Sequence, residues 1–369
     1  MRGNLQKSRN ANMDLLRILS MLLIVFLHSI DHSGVLENAE NCGTAMYFYV
    51  RFTYMLCQVC VNIYVMLSGY FLVTSKFRLK KLVILWMEAV FYSVVIRLIF
   101  MLTGARPFSI VSLVSCFVPI LTGRYWFITI YVGMYLIFPF LNLLIRAMDR
   151  KQHALLNICL FTLFSLWSSL HPSIAGMNSG GGWGLAWFAV LYLAAAWLRL
   201  YYEPNGKAGR YLVVFVAIPA FAAAVQCAQG DIVPGIVLQI VKNWFRYDSA
   251  PVYIMSMCLF AGFVNFQIRQ EKLANAIRFV APLTFGVYLI HAHADVSPWS
   301  WEVLNMPAKM DSALFPLAQL GIVLGIFAVC AIIDGIRKHT VGKLEDLSVV
   351  DVFCAKVTKF ASKVLERVV

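Results

Sequence analysis

Charge is what this sequence has least of. Only 13% of its 369 residues are Asp, Glu, Lys or Arg, against 61% hydrophobic. That scarcity excludes a soluble fold of this length. Apolar runs recur from residue 15 to residue 336, as in a polytopic membrane protein. Acidic residues are fewer still, 18 against 31 basic, for a net charge of +13. The excess does not point to nucleic acid, because the basic side chains sit in short loops between apolar runs, where they set topology. Paired zinc-type cysteines are missing. The nine cysteines are scattered, and the single C-x-x-C, Cys57 with Cys60, falls inside an apolar run and reads as structural. No metal is expected. No G-x-S-x-G is present to supply a serine nucleophile. There is no clear internal repeat of the kind many transporters show. No small-residue cleavage site follows the first apolar run, so the helix after Arg2, Lys7 and Arg9 is expected to be retained.

What is present predicts an all-α, polytopic integral membrane protein of about ten transmembrane helices. Their expected bounds are 15–33, 45–73, 83–103, 125–145, 153–170, 184–201, 211–228, 250–267, 281–296 and 314–336. The second is long enough to be tilted or broken, with Ser68-Gly69 as the candidate break. With both termini in the cytoplasm, every inner loop is basic, including Lys76, Arg78, Lys80 and Lys81, while the first outer loop holds Glu37 and Glu40. The outer loops 171–184, rich in glycine, and 229–250, with Asp231, Trp244, Arg246 and Asp248, have compositions suited to the rim of a site. Residues 1–336 read as one membrane domain. Residues 337–369 read as a basic amphipathic cytoplasmic tail, with Val357, Phe360, Val364 and Leu365 opposite Lys356, Lys359 and Lys363.

The chemistry concentrates in Asp14 to His32. As an α-helix, the eleven residues from Arg17 to His28 turn through about 1100° and rise about 16 Å, roughly half of a 30 Å hydrocarbon core. Both side chains then share a face, with Asp14 close to the same line. Asp31 and His32 lie one turn past His28, where side chains can meet. A cation near one surface and an imidazole at depth on one helix is costly in lipid and points to function. Glu88 is a buried carboxylate in the third span and a candidate substrate contact, in need of Arg97 or a base on another helix as partner. His291 lies about 15 Å along the ninth predicted span, at a depth comparable to His28.

Asp14, Leu16, Arg17, Val25 and His28 resemble the opening of the acyltransferase-3 family, bacterial membrane enzymes that place acyl groups, usually acetyl, on cell-surface sugars. Three later segments carry the same resemblance: Ser68-Gly69-Tyr70-Phe71, then Tyr125-Trp126-Phe127 with Pro139 downstream, then Gly286 through Tyr288 to His291. Where the family often has R-x-R, this chain has Arg78-Leu79-Lys80. The resemblance implies an O-acyltransferase fed by cytoplasmic acetyl-CoA, acting on a glycan or lipid-linked sugar in the cell membrane. It implies His28 as general base or acyl carrier, with Asp31 or another carboxylate orienting it and His291 nearby. Arg17, Arg78, Lys80 and Lys81 would hold the donor's phosphates, and Trp126 and Tyr288 would face the acceptor. The rival reading is a transporter or non-catalytic sensor using the same buried groups as a proton relay.

Overall fold

The computed structural model describes residues 10–170, 179–228 and 233–368, with side chains described to residue 360. Arg2, Lys7 and Arg9, loop residues 171–178, Asp231 and the tail side chains past Phe360 lie outside the described residues. Among those described, all regular structure is helical.

In chain order the main helices are α1 (Ala11–Asp31), α2 (Thr44–Cys57), α3 (Val59–Leu72), α4 (Leu79–Leu102), α5 (Ile110–Ser115), α6 (Trp126–Ala147) and α7 (Arg150–Phe161). A π-helical turn, Thr162–Leu166, carries α7 on to Leu170. Then come α8 (Leu185–Tyr201), α9 (Ala208–Cys227), α10 (Gly235–Lys242), α11 (Ala250–Asn265), α12 (Glu271–Val280), α13 (Thr284–His291), α14 (Val296–Leu304), α15 (Phe315–His339) and α16 (Ser348–Val368).

Among the described residues, eight helical stretches are long and apolar enough to cross a membrane, with Thr44–Leu72 and Glu271–His291 each counted as one. Two more apolar helices, α8 and α11, have 17 and 16 residues, short of the roughly 20 that a straight span needs. The chain is an all-α, multi-pass membrane protein.

α1 is the hub. It packs against α2, α3, α11, α12, α13 and α15, which is why its apolar side chains are buried on more than one side. Ser20 Oγ donates to the Cys60 carbonyl at 2.6 Å, tying α1 to α3. Gln319 of α15 donates to Ser29 Oγ at 2.8 Å and accepts from Tyr49 of α2 at 2.7 Å. In a medium without water, such ties satisfy polar atoms and fix helix register together. Cys57 and Cys60 are both buried and free.

Two sequence expectations change. The break in the second span falls at Gln58 rather than at Ser68-Gly69. An unbroken helix is needed at Gly69, because α3 there lies directly on α8: a Cβ on Gly69 would stand 2.7 Å from the Tyr192 carbonyl oxygen and 2.9 Å from its Cα. The ninth span begins earlier than expected. α12 runs through the 3-10 turn Ala281–Leu283, where Pro282 tightens the chain, into α13, and the helix stops at His291 instead of near 296.

Gly69→Ala is therefore expected to lower stability by about 1–3 kcal/mol through forced separation of α3 and α8. Thermal unfolding in detergent checks this against Gly321→Ala, where the added methyl meets nothing within 4 Å.

Candidate active site

Asn10 caps α1 by accepting from the Asn12 backbone N–H at 3.1 Å. Nearly two turns in, Arg17 donates through Nη1 to buried Asp14 at 3.0 Å. Three turns on, the His28 ring stacks on His32, with centroids 4.3 Å apart and planes 17° from parallel. It also lies 5.1 Å from the His291 ring at the end of α13. Three imidazoles from two helices thus meet at one point. His291 Nδ1 lies 2.6 Å from the Val287 carbonyl. A carbonyl can only accept, so Nδ1 carries the hydrogen and Nε2, buried and without a hydrogen-bond partner, is the free lone pair of the neutral ring.

Asp31 does not orient His28. Its Oδ2 is 3.8 Å from His32 Nε2, half exposed at the end of the helix, and His28 Nδ1 is buried with no hydrogen-bond partner. The helix explains this. The residue at i+4 stacks almost above His28, while the short Asp31 side chain at i+3 leaves on the other flank.

His28 lines a cavity of about 310 Å³ with Asp31, His32, Tyr288, Trp126, Trp183 and Tyr247. Its wall is an aromatic cluster. The Trp126 and Trp183 rings are 4.2 Å apart, and Tyr247 lies 5.8 Å from Trp183. Beneath it, Arg246 pairs with buried Asp248 at 2.8 Å, and Ser179 Oγ donates to the same carboxylate at 2.5 Å. Asn62 of α3 donates to the Tyr247 carbonyl at 2.8 Å. Burial pushes the Tyr247 phenol well above its usual range, so it stays a neutral hydroxyl. The surface of this cavity is apolar and aromatic, with a few polar groups converging on it, as in small-molecule sites.

A second cavity, of about 360 Å³, lies at the other end of α1 and is lined by Arg17, Lys81, Ser68, Tyr131 and Thr284 among others. Of the four predicted phosphate-binding cations, the structure brings Arg17 and Lys81 together here. Arg78 is exposed at the cap of α4, where its backbone N–H and C=O both meet the Tyr135 hydroxyl. Lys80 turns away to Asp351 of α16 at 2.8 Å. Adjacent positions on a helix diverge by about 100°, and here Lys81 lines the cavity while Lys80 is drawn off by its ion pair with Asp351.

Glu88 lines neither cavity. Its partner is Arg337 of α15, at 3.4 Å, rather than Arg97. Arg337 also meets Asp334 at 2.8 Å and Glu345 at 2.6 Å. Arg97 pairs with buried Asp295 at 3.2 Å. The Glu88–Arg337 group holds α4 to α15, and it explains Gly286: a Cβ there would lie 2.1 Å from the Asp334 carboxyl carbon. Only glycine lets α13, with His291 at its end, settle against α15.

Sequence reasoning did not single out Tyr64, Phe285 or Arg124 as lining residues, whereas Trp183 and Tyr247 fall in the two outer loops read as suited to the rim of a site and Phe127 in the Tyr125-Trp126-Phe127 cluster. Aromatic side chains in apolar runs carry no signal that separates a cavity wall from an interfacial belt or a core.

A family model described as an acyltransferase domain matches residues 10–335 of this chain. No curated protein and no solved structure matches it. The matched stretch spans α1 and most of α15, and every residue lining the two cavities falls within it. The chain belongs to the acyltransferase-3 family and is a multi-pass membrane acyltransferase.

Proposed function

We propose that the protein is an O-acetyltransferase of the cell membrane, moving an acetyl group from cytoplasmic acetyl-CoA to a hydroxyl of a cell-surface or lipid-linked glycan. The observation that carries this reading is His28 lining an aromatic-walled cavity, with the His291 ring packed against it from outside the lining and a cationic cavity at the opposite end of the same helix.

The donor set fits the cosubstrate. Arg17 and Lys81 supply charge and several N–H donors for phosphate. A cavity of about 360 Å³ suits the slender pantetheine arm better than the whole coenzyme, so the nucleotide end stays near the rim, within reach of Arg78. On the acceptor side, Trp126, Trp183 and Tyr247 offer ring faces and a neutral hydroxyl to a sugar.

His28 acts as general base. As the acceptor oxygen attacks the thioester carbonyl carbon, His28 takes the hydroxyl proton. The carbon–sulfur bond then breaks, and the proton passes to the departing thiolate, leaving an ester and free CoA. An imidazole suits both transfers because its ordinary pKa lies near neutrality. His32 and His291 hold the ring in place by contact.

The test is transfer from radiolabelled acetyl-CoA to envelope glycan in membranes that contain the protein and in membranes that lack it. Label entering the glycan fraction only with the protein is expected. Label that appears solely as free acetate, or in no acceptor across a panel of envelope glycans, overturns the reading.

A further inference from the structure

The two cavities have three lining residues in common, Tyr64, Phe127 and Phe285. These come from three helices, and each marks the point where its helix passes from one cavity to the other. On α3, Cys60 and Val61 line the His28 side, and Leu67, Ser68 and Phe71 line the Arg17 side, with Tyr64 between. On α6, Trp126 lies on the first side and Ile128 and Tyr131 on the second, with Phe127 between. On α13, Tyr288 and Thr284 flank Phe285 in the same way. On α1, Arg17 belongs to one cavity and Met21 through His28 to the other.

We infer that Tyr64, Phe127 and Phe285 form a gate between a donor chamber and an acceptor chamber, and that their bulk limits the acyl group that reaches His28. The inference rests on the acyltransferase reading for its second half only. A three-sided aromatic ring across a passage in lipid keeps water and ions from crossing between turnovers, as apolar constrictions do in channels. It also keeps water from the thioester.

The three leaves are not equivalent. The Phe127 ring contacts Tyr64 at 6.1 Å, Phe188 at 5.5 Å and Tyr288 at 6.0 Å. Among the described residues, Phe285 joins none of these ring contacts and is a partly buried side chain on the edge of the core, so the opening motion is assigned to it. Opening then needs a rotamer change at one side chain rather than a helix movement.

The experiment uses Ala292→Cys as a reporter, since Ala292 lines the His28 side and is partly exposed. A membrane-impermeant thiol reagent is applied only from the Lys81 face of oriented vesicles, and the introduced thiol is read by peptide mass spectrometry. Adding Phe285→Ala is expected to raise its labelling rate about tenfold or more, and Phe285→Trp to lower it. Phe285→Leu, a milder change, is run alongside and should fall between them. In parallel, acetyl-, butyryl- and hexanoyl-CoA are compared as donors. Phe285→Ala is expected to raise use of the longer donors relative to acetyl by about tenfold.

Unchanged labelling in both Phe285→Ala and Phe285→Leu, with the protein monodisperse in detergent, overturns the gate. Increased labelling with an unchanged donor profile overturns the limit on acyl size. Increased labelling in a protein that transfers acetyl to no acceptor leaves the gate standing and removes the acyltransferase mechanism instead.

Discussion

His28→Ala is expected to reduce the rate of acetyl transfer by about 10²–10⁴-fold, the usual loss when a positioned general base is removed. The loss should fall on kcat. His28 lines the aromatic-walled cavity, whereas Arg17 and Lys81 line the other, so donor binding is left in place. The KM for acetyl-CoA should therefore move little. Initial rates at several donor concentrations, at matched protein levels in membranes, separate the two parameters. Arg17→Ala should show the opposite split, with a raised KM. A loss of less than tenfold at His28 would place the base elsewhere, and His291, with its free Nε2, is the next residue to test.

Arg337→Met is expected to be the most damaging change to stability outside the cavities. Arg337 is 4% exposed and faces Glu88, Asp334 and Glu345. Removing it strands three carboxylates around a buried space, where breaking one partner out of an ion pair costs about 3–5 kcal/mol. The neighbouring Lys338, at 3.9 Å from Asp334, compensates only in part. Thermal unfolding in detergent should show a large drop for Arg337→Met and a smaller one for Arg337→Met combined with Asp334→Asn, since neutralising a stranded charge relieves part of the cost. Strict additivity of the two changes would show that Arg337 and Asp334 do not act as a unit.

Much of this architecture could be read before any coordinates. Arg17 and His28 share a face because an apolar helix of regular pitch leaves no freedom in where residues eleven apart must point. Counting turns from residue 281 put His291 at a depth like that of His28; the helical stretch starts earlier, at Glu271, but the two rings do meet. The distance between the two rings, however, depends on how α13 leans on α1. That lean is set by Gly286 against Asp334, a contact between residues 48 positions apart whose identities alone announce nothing. The same limit hid the partner of Glu88, found on α15, and the partner of Lys80, found on α16. A run such as TSKFRLKK shows that cations are present but not which of them faces inward. The early stop of α13 at His291 was missed for a related reason. The residues that follow, Ala292 to Asp295, are compatible with helix, and the turn there is fixed by local bonds such as the Asp295 N–H to His293 Nδ1 at 3.1 Å.

The seating of Asp334 on Gly286 also bears on how such a sequence can drift. A methyl group at position 286 and a carboxylate at position 334 claim the same space, so neither site is free to vary by itself. A lineage that acquires alanine at 286 must already carry a smaller residue at 334, and losing that acid leaves Tyr92, which donates to it at 2.8 Å, and Arg337 in need of new neighbours. The four positions form one inherited block, and a chimera joining α13 from one relative to α15 from another should fail wherever the block is split.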